Sequence, residues 1–135
     1  MVTQKERVQL VNDSERMIAL RTYIYNTPVV GDQPGLILAR CLAGEYKMLE
    51  LLLEDGSCVG VAVYKYEPPT HTLHLAVLSA PNEVETFRPL LLSWFGRLGA
   101  TKLIAVTKHN HDAIVRAVVK NLETSSYTVL EVRLR

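Results

Sequence analysis

Four side chains in the middle of the chain could take a proton from a reacting amine or water. They are the carboxylates Glu50 and Glu54 and the imidazoles His71 and His74. A general base needs such a group, and histidine titrates nearest neutrality. His71 and His74 stand three apart in a segment of strand character, so they point to opposite faces and cannot share a metal ion without a bulge. A second cluster, His109-Asn110-His111-Asp112, falls where a helix begins. A metal there would want a further ligand, and the spacing is not diagnostic. Solvated or hydrogen-bonded histidines account for both pairs, and no metal is expected. Ser57, Ser79, Ser93, Ser125 and Ser126 lack the G-x-S-x-G context of a nucleophile elbow. Neither a Walker loop nor a dinucleotide fingerprint is present.

The elements that must position these groups come from one domain spanning residues 1–135, a length that suits a single core. The hydrophobic fraction of 48% is that of a globular chain. Fifteen basic and 14 acidic residues leave a net charge of +1, so neither nucleic acid nor an anionic membrane is an expected partner. Cys41 and Cys58 sit in apolar surroundings and read as free buried thiols, with a single disulfide left open. The polar, charged first residues show no signal peptide, and the apolar runs fall short of the roughly 20 residues that span a bilayer. A soluble cytoplasmic protein is the expectation.

Arg7–Val11 alternates as a strand. Asp13 or Ser14 can cap a helix from Glu15, with Met17, Leu20 and Ile24 on one face, and Asn26-Thr27-Pro28 stops it. Residues 33–44 read either as a helix closed by Gly44 or as a strand over Gly35–Leu38. Met48–Leu53, the Asp55-Gly56 turn, Cys58–Tyr66 and His71–Ser79 give a three-stranded antiparallel meander. Val59, Val61 and Val63 share one face of its middle strand; Gly60, Ala62, Tyr64 and Tyr66 share the other. The tyrosines read as buried packing; an exposed Tyr64/Tyr66 face would instead suit a protein interface. A helix over Phe87–Leu98 takes Thr86 as N-cap, which puts Pro89 in its tolerant first turn. Lys102–Thr107 follows as a strand parallel to His71–Ser79. Asn110 caps a helix over 111–120, and Ser126–Arg135 is an alternating closing strand whose edge could pair with another copy.

This order of elements resembles the GNAT family of N-acetyltransferases across nearly the whole chain. The meander with its Asp55-Gly56 turn and the segment from Val106 to Leu122, where Asn110, Ala113 and Ile114 match, carry the sequence-level likeness. The resemblance implies an α+β fold: a mixed sheet, with an antiparallel meander and a parallel pair splayed for a cofactor, flanked by about four helices. It also implies that acyl-CoA lies in that splay. Val77, Leu78 and Ser79 would then hydrogen-bond the pantetheine, Arg88 would meet the diphosphate, and Asn110 would support the pocket. Glu50, His71 and His74 are then the candidate bases.

Two departures stand against that chemistry. The loop from Ser79 to Leu90, SAPNEVETFRPL, contains no glycine, although bare amides and close approach are what a diphosphate needs there. Glu83 and Glu85 bring like charge, costing on the order of 1–3 kcal/mol each at an intermediate dielectric, and Pro89 lacks an N–H. Seven residues after Asn110, where the family often has a proton-donating tyrosine, stands Ala117; Tyr127 is a poor substitute. On these grounds the first reading is a GNAT-like domain without standard catalysis and without a cofactor, acting through protein contacts. It resembles small phage-encoded GNAT-like proteins, which implies phage structural proteins or a host protein as partners and a virion-associated place. The second reading is an acyl-CoA-dependent N-acyltransferase with an atypical diphosphate loop, using acetyl-CoA or another acyl-CoA.

Overall fold

The computed structural model describes residues 5–26, 33–108 and 127–133. Its strands are β1 (Arg7–Val11), β2 (Lys47–Leu52), β3 (Cys58–Glu67), β4 (Thr72–Ser79), β5 (Lys102–Lys108) and β6 (Tyr127–Arg133). Its helices are α1 (Ser14–Ala19), α2 (Arg21–Tyr25), α3 (Pro34–Leu42) and α4 (Val84–Arg97), with a 3₁₀ turn over Pro68–Thr70. The strands form one sheet in sequence order from β1 to β6. Every neighbouring pair is antiparallel except β4–β5, which is parallel because α4 carries the chain back between them. This is the mixed α+β architecture expected. The helix expected over 111–120, with Asn110, Ala117 and the His109-His111 cluster, lies outside the described residues.

Alternation along the strands splits the core between the two faces of the sheet. One face carries Leu49, Leu51, Ala62, Tyr64, Leu73 and Leu75 against Phe87, Leu91 and Phe95 of α4. The other carries Val11, Met48, Val61, Val63 and Val77 against Met17, Leu20 and Ile24 of α1 and α2 and Ile37, Leu38 and Cys41 of α3. Asp13 caps α1, its Oδ1 accepting from the Glu15 N–H at 3.2 Å. Residues 34–42 form a helix rather than a strand. Pro34 opens it, Ile37, Leu38 and Cys41 are buried on one stripe, and Gly44 closes it with a φ of 83°.

Two local expectations are corrected, the face of Val59 and the start of α4, while Tyr64 is buried packing as expected. Val59 packs with the α4-side core and not with Val61, because a bulge lets Leu51 pair with Gly60 while Leu52 pairs with Cys58. Tyr64 forms no exposed interface: it is 3% accessible, meets the Phe95 ring edge-on at 5.5 Å, and accepts a hydrogen bond from Trp94 Nε1. Helix α4 starts at Val84 with Glu83 as its cap, so Pro89 is its sixth residue and not in the first turn. Burial of Phe87, Leu91 and Phe95 at four-residue spacing requires Phe87 to be helical already. Pro89 is exposed, so the Glu85 carbonyl that loses its donor can turn to water. Cys41 and Cys58 are free thiols.

Candidate functional site

The ladder between β4 and β5 has four pairs, Thr72–Leu75 with Lys102–Ala105, and then stops. Both strands run on, β4 to Ser79 and β5 to Lys108. The stop coincides with an irregularity on the opposite edge of β4. Val63 pairs with Val77 and Tyr64 with Leu75, so Ala76 is an extra residue. A bulge bends its strand and increases the local twist, which turns the end of β4 away from β5. The side chains record it: Ala76 and Val77 both pack toward the α1–α3 core, while Leu75 and Leu78 both pack toward α4. Val77, Leu78 and Ser79 are 3%, 6% and 8% accessible and pair with β3, which leaves the other edge of this backbone facing the gap. Backbone N–H and C=O groups in that position are available to a ligand's amides.

The gap leads to the start of α4. Asn82 takes a left-handed conformation, φ 64°, and the Glu83 N–H donates to the Ala80 carbonyl at 2.9 Å, folding the loop into the helix. Asparagine is among the few residues other than glycine that enter this region at low cost. The loop therefore makes its left-handed turn without the glycine whose absence the sequence emphasises. The Glu83 side chain makes no capping hydrogen bond at the positive end of α4. Glu85 stands 3.7 Å from Arg88 Nη2, which offsets its charge. Leu75, Leu78, Val84, Leu91, Leu103 and the stem of Arg88 line a crevice of about 20 Å³ beside the gap, an apolar wall with room for about one water. The β4 backbone edge at the gap, the N-terminus of α4 and Arg88 thus offer amide and cationic groups of the kind that an acyl-CoA would need.

Of the residues singled out in the sequence, Leu78 and Arg88 line this crevice and Val77 and Ser79 flank Leu78 on β4; Asn110 lies outside the described residues. The three candidate bases do not join them. His71 lies just before β4 in a left-handed conformation, its carbonyl accepting from the Thr101 and Lys102 N–H groups at 2.8 and 3.3 Å, at the closed end of the β4–β5 pair. His74 lies within the ladder, two residues before the bulge at Ala76, and faces Glu67, Nε2 to Oε1 3.1 Å. Glu50 pairs with Arg16, and its backbone row runs Gln9, Glu50, Val61, Ser79 across β1 to β4. Val61 lies between Glu50 and Ser79 with 0% accessibility, so buried core separates that carboxylate from the gap. Among the described residues no metal-binding cluster occurs, and no helix is long and apolar enough to cross a membrane. Sequence reasoning missed Ala76, Asn82 and Arg16. Asn82 had a signal in its residue type, whereas the bulge at Ala76 and the reach of Arg16 to Glu50 had none.

By sequence, the chain matches no protein-family model and no curated protein. By structure it is similar to a putative acetyltransferase of the GNAT family from Desulfovibrio desulfuricans, with a TM-score of 0.67 at 15% identity over 96% of this chain and 99% of that one. It is similar to yncA, a putative acetyltransferase from Salmonella typhimurium solved with its cofactor acetyl-CoA (TM-score 0.63, 17% identity, 98% and 95% of the two chains). A ribosomal-protein-S5-alanine acetyltransferase from Vibrio fischeri matches over 98% of this chain and 95% of its own, with a TM-score of 0.63 at 10% identity. The chain has the fold of the GNAT acetyltransferases.

Proposed function

We propose that the chain is an acyl-CoA-dependent N-acyltransferase with an atypical diphosphate loop. The observation that supports it most is the four-pair β4–β5 ladder ending beside the bulge at Ala76. The acetyl-CoA held by the structurally similar Salmonella protein agrees with it. When bound, acyl-CoA would supply an activated acyl thioester. In this reading the backbone of Ala76 to Ser79 holds the pantetheine, the first-turn amides of α4 and Arg88 hold the diphosphate, and Asn110 supports the pocket. Glu50 and His71 stand away from the gap and His74, near its mouth, is paired with Glu67, so in this reading the acceptor amine enters as its free base, and the rate rises with pH toward that amine's own pKa.

The competing reading keeps the fold and loses the catalysis, with protein contacts and a phage origin. Its support is the carboxylate of Glu83, the alanine at 117 and the exposed apolar side chains Ile18, Tyr25, Leu36 and Leu42. Against it stand the left-handed Asn82, the pairing of Glu85 with Arg88 and the burial of Tyr64. Thermal unfolding with acetyl-CoA separates the two. Ligand at about 100 times its Kd adds about 2.7 kcal/mol, several degrees in Tm. That shift, abolished in Arg88→Glu, supports the transferase. No shift at about millimolar ligand removes it.

A further inference from the structure

A polar groove of about 530 Å³ opens on the far side of the sheet from α4, along β1 and the start of α1. Arg7, Gln9, Asp13, Arg16 and Glu50 line it. Its size is that of a small-molecule site, a class that runs from roughly 300 to 1,000 Å³. It is separate from the β4–β5 gap, since the sheet order sets β1 and β2 two to three strands away and Val61 is buried between.

The anomaly at its floor is Glu50. Met48, Glu50 and Leu52 alternate onto this face of β2, and the flanking two are apolar and buried. The Glu50 side chain is only 7% exposed and binds Arg16, Nη2 to Oε1 at 2.7 Å and Nε to Oε2 at 3.5 Å. Burying a carboxylate against a half-exposed guanidinium gains little over a packed hydrophobic residue, so stability does not explain it. What it achieves is orientation. It anchors one edge of the Arg16 guanidinium, whose side chain is still 43% exposed to the groove. Buried polar partners that fix a more exposed functional group are the usual support of a preorganised site.

We infer that this groove binds a zwitterionic ligand of amino-acid or dipeptide size. Arg16 and Arg7 present guanidinium groups, whose planar forks match a carboxylate. Asp13, its Oδ1 held by the Glu15 N–H, adds the opposite sign at the groove wall, where an ammonium group is favoured. Gln9, paired in register with Glu50, brings an amide able both to donate and to accept. With two guanidiniums and two carboxylates lining the groove, a ligand that carries both signs is matched better than a polycation or a simple carboxylate.

The test is titration of the full chain with glycine, glycylglycine, acetate and methylamine, followed by calorimetry and backbone amide shifts. It needs no acetyl-CoA, so its outcome stands apart from that of the transferase reading. Glycine or glycylglycine is expected to shift amides 7–13, 16 and 50, with acetate about tenfold weaker and methylamine weaker still. Arg7→Ala and Arg16→Lys, the second keeping the charge but not the fork, each weaken binding about tenfold with an unchanged circular dichroism spectrum. No shift at those amides with about 10 mM of either zwitterion overturns the assignment. So does acetate binding as tightly as glycine, or binding that Arg7→Ala leaves unchanged.

Discussion

Gly60 on β3 and Ser79 at the end of β4 approach so closely that a Cβ on Gly60 would lie 2.2 Å from the Ser79 carbonyl oxygen and 2.8 Å from the Ala80 Cα. Both obstacles are backbone, so no rotamer change relieves the clash. The glycine is what lets β3 hold the terminal stretch of β4 after its bulge, on the edge opposite the gap. Gly60→Ala is expected to cost about 3 kcal/mol, at the upper end of overpacking effects, because main chain must move. It also displaces the backbone on which cofactor binding is proposed to depend. Urea unfolding checks the stability, and acetyl-CoA thermal shift, measured below the lowered midpoint, checks the site. A variant as stable as the parent would show that the end of β4 is free to move.

Asn82 gives a second handle on the same region. Its φ of 64° suits asparagine and glycine and penalises branched side chains. Asn82→Gly is expected to change stability by less than about 1 kcal/mol, whereas Asn82→Val costs about 1–2 kcal/mol and impairs acetyl-CoA binding. Equal melting curves for the two variants would count against a left-handed residue at this point.

The strands and their order were legible in the sequence because period-two alternation and the Asp55-Gly56 turn are local signals. The helical stripe Met17, Leu20 and Ile24 and the Asp13 cap are local signals too, but the break at Leu20, which divides the single expected helix into α1 and α2, is not. The start of α4 lies three residues before the expected one because proline's preference for a first turn is a local rule, and burial of Phe87 overrides it. The Gly35–Leu38 stretch is locally ambiguous; it became helix because the helical stripe Ile37, Leu38 and Cys41 fills the space between α1, α2 and the sheet. The order of elements places Val77 to Ser79 at the end of β4 and Arg88 in α4. The separation of Glu50 from them is not legible in that order. It depends on which residue of β3 stands between two strands, and no spacing within β2 encodes that.

Pro89 is exposed in the second turn of α4, where it removes one hydrogen bond to the Glu85 carbonyl. Proline is about 3 kcal/mol less favourable than alanine in a helix interior, partly offset by its restriction of the unfolded chain, worth up to about 1 kcal/mol. Pro89→Ala is therefore expected to stabilise the protein by roughly 1–2 kcal/mol, raising Tm by several degrees in calorimetry. A lowered Tm would mean that the ring itself packs against the fold.

Cys41 ties the α3 packing to alkaline pH. The thiol is 1% accessible among Met17, Ile24 and Ile37, and burial pushes its pKa from 9.0 to about 11. The folded state thus favours the neutral thiol, while the unfolded chain ionises near the ordinary value. Because the folded pKa is the higher one, this stabilisation is complete below about pH 9 and is lost as pH rises toward 11. Two pKa units correspond to roughly 2–3 kcal/mol. Cys41→Ala removes that pH dependence while costing cavity energy at every pH. In urea unfolding between pH 8 and 11, the parent should lose stability more steeply than Cys41→Ala, so that their difference shrinks with pH. The half-buried Cys58, by contrast, should react with an alkylating reagent in the native protein at neutral pH, before Cys41 does. Parallel stability curves, or alkylation of Cys41 at the rate of Cys58, would show that α3 opens readily from the sheet.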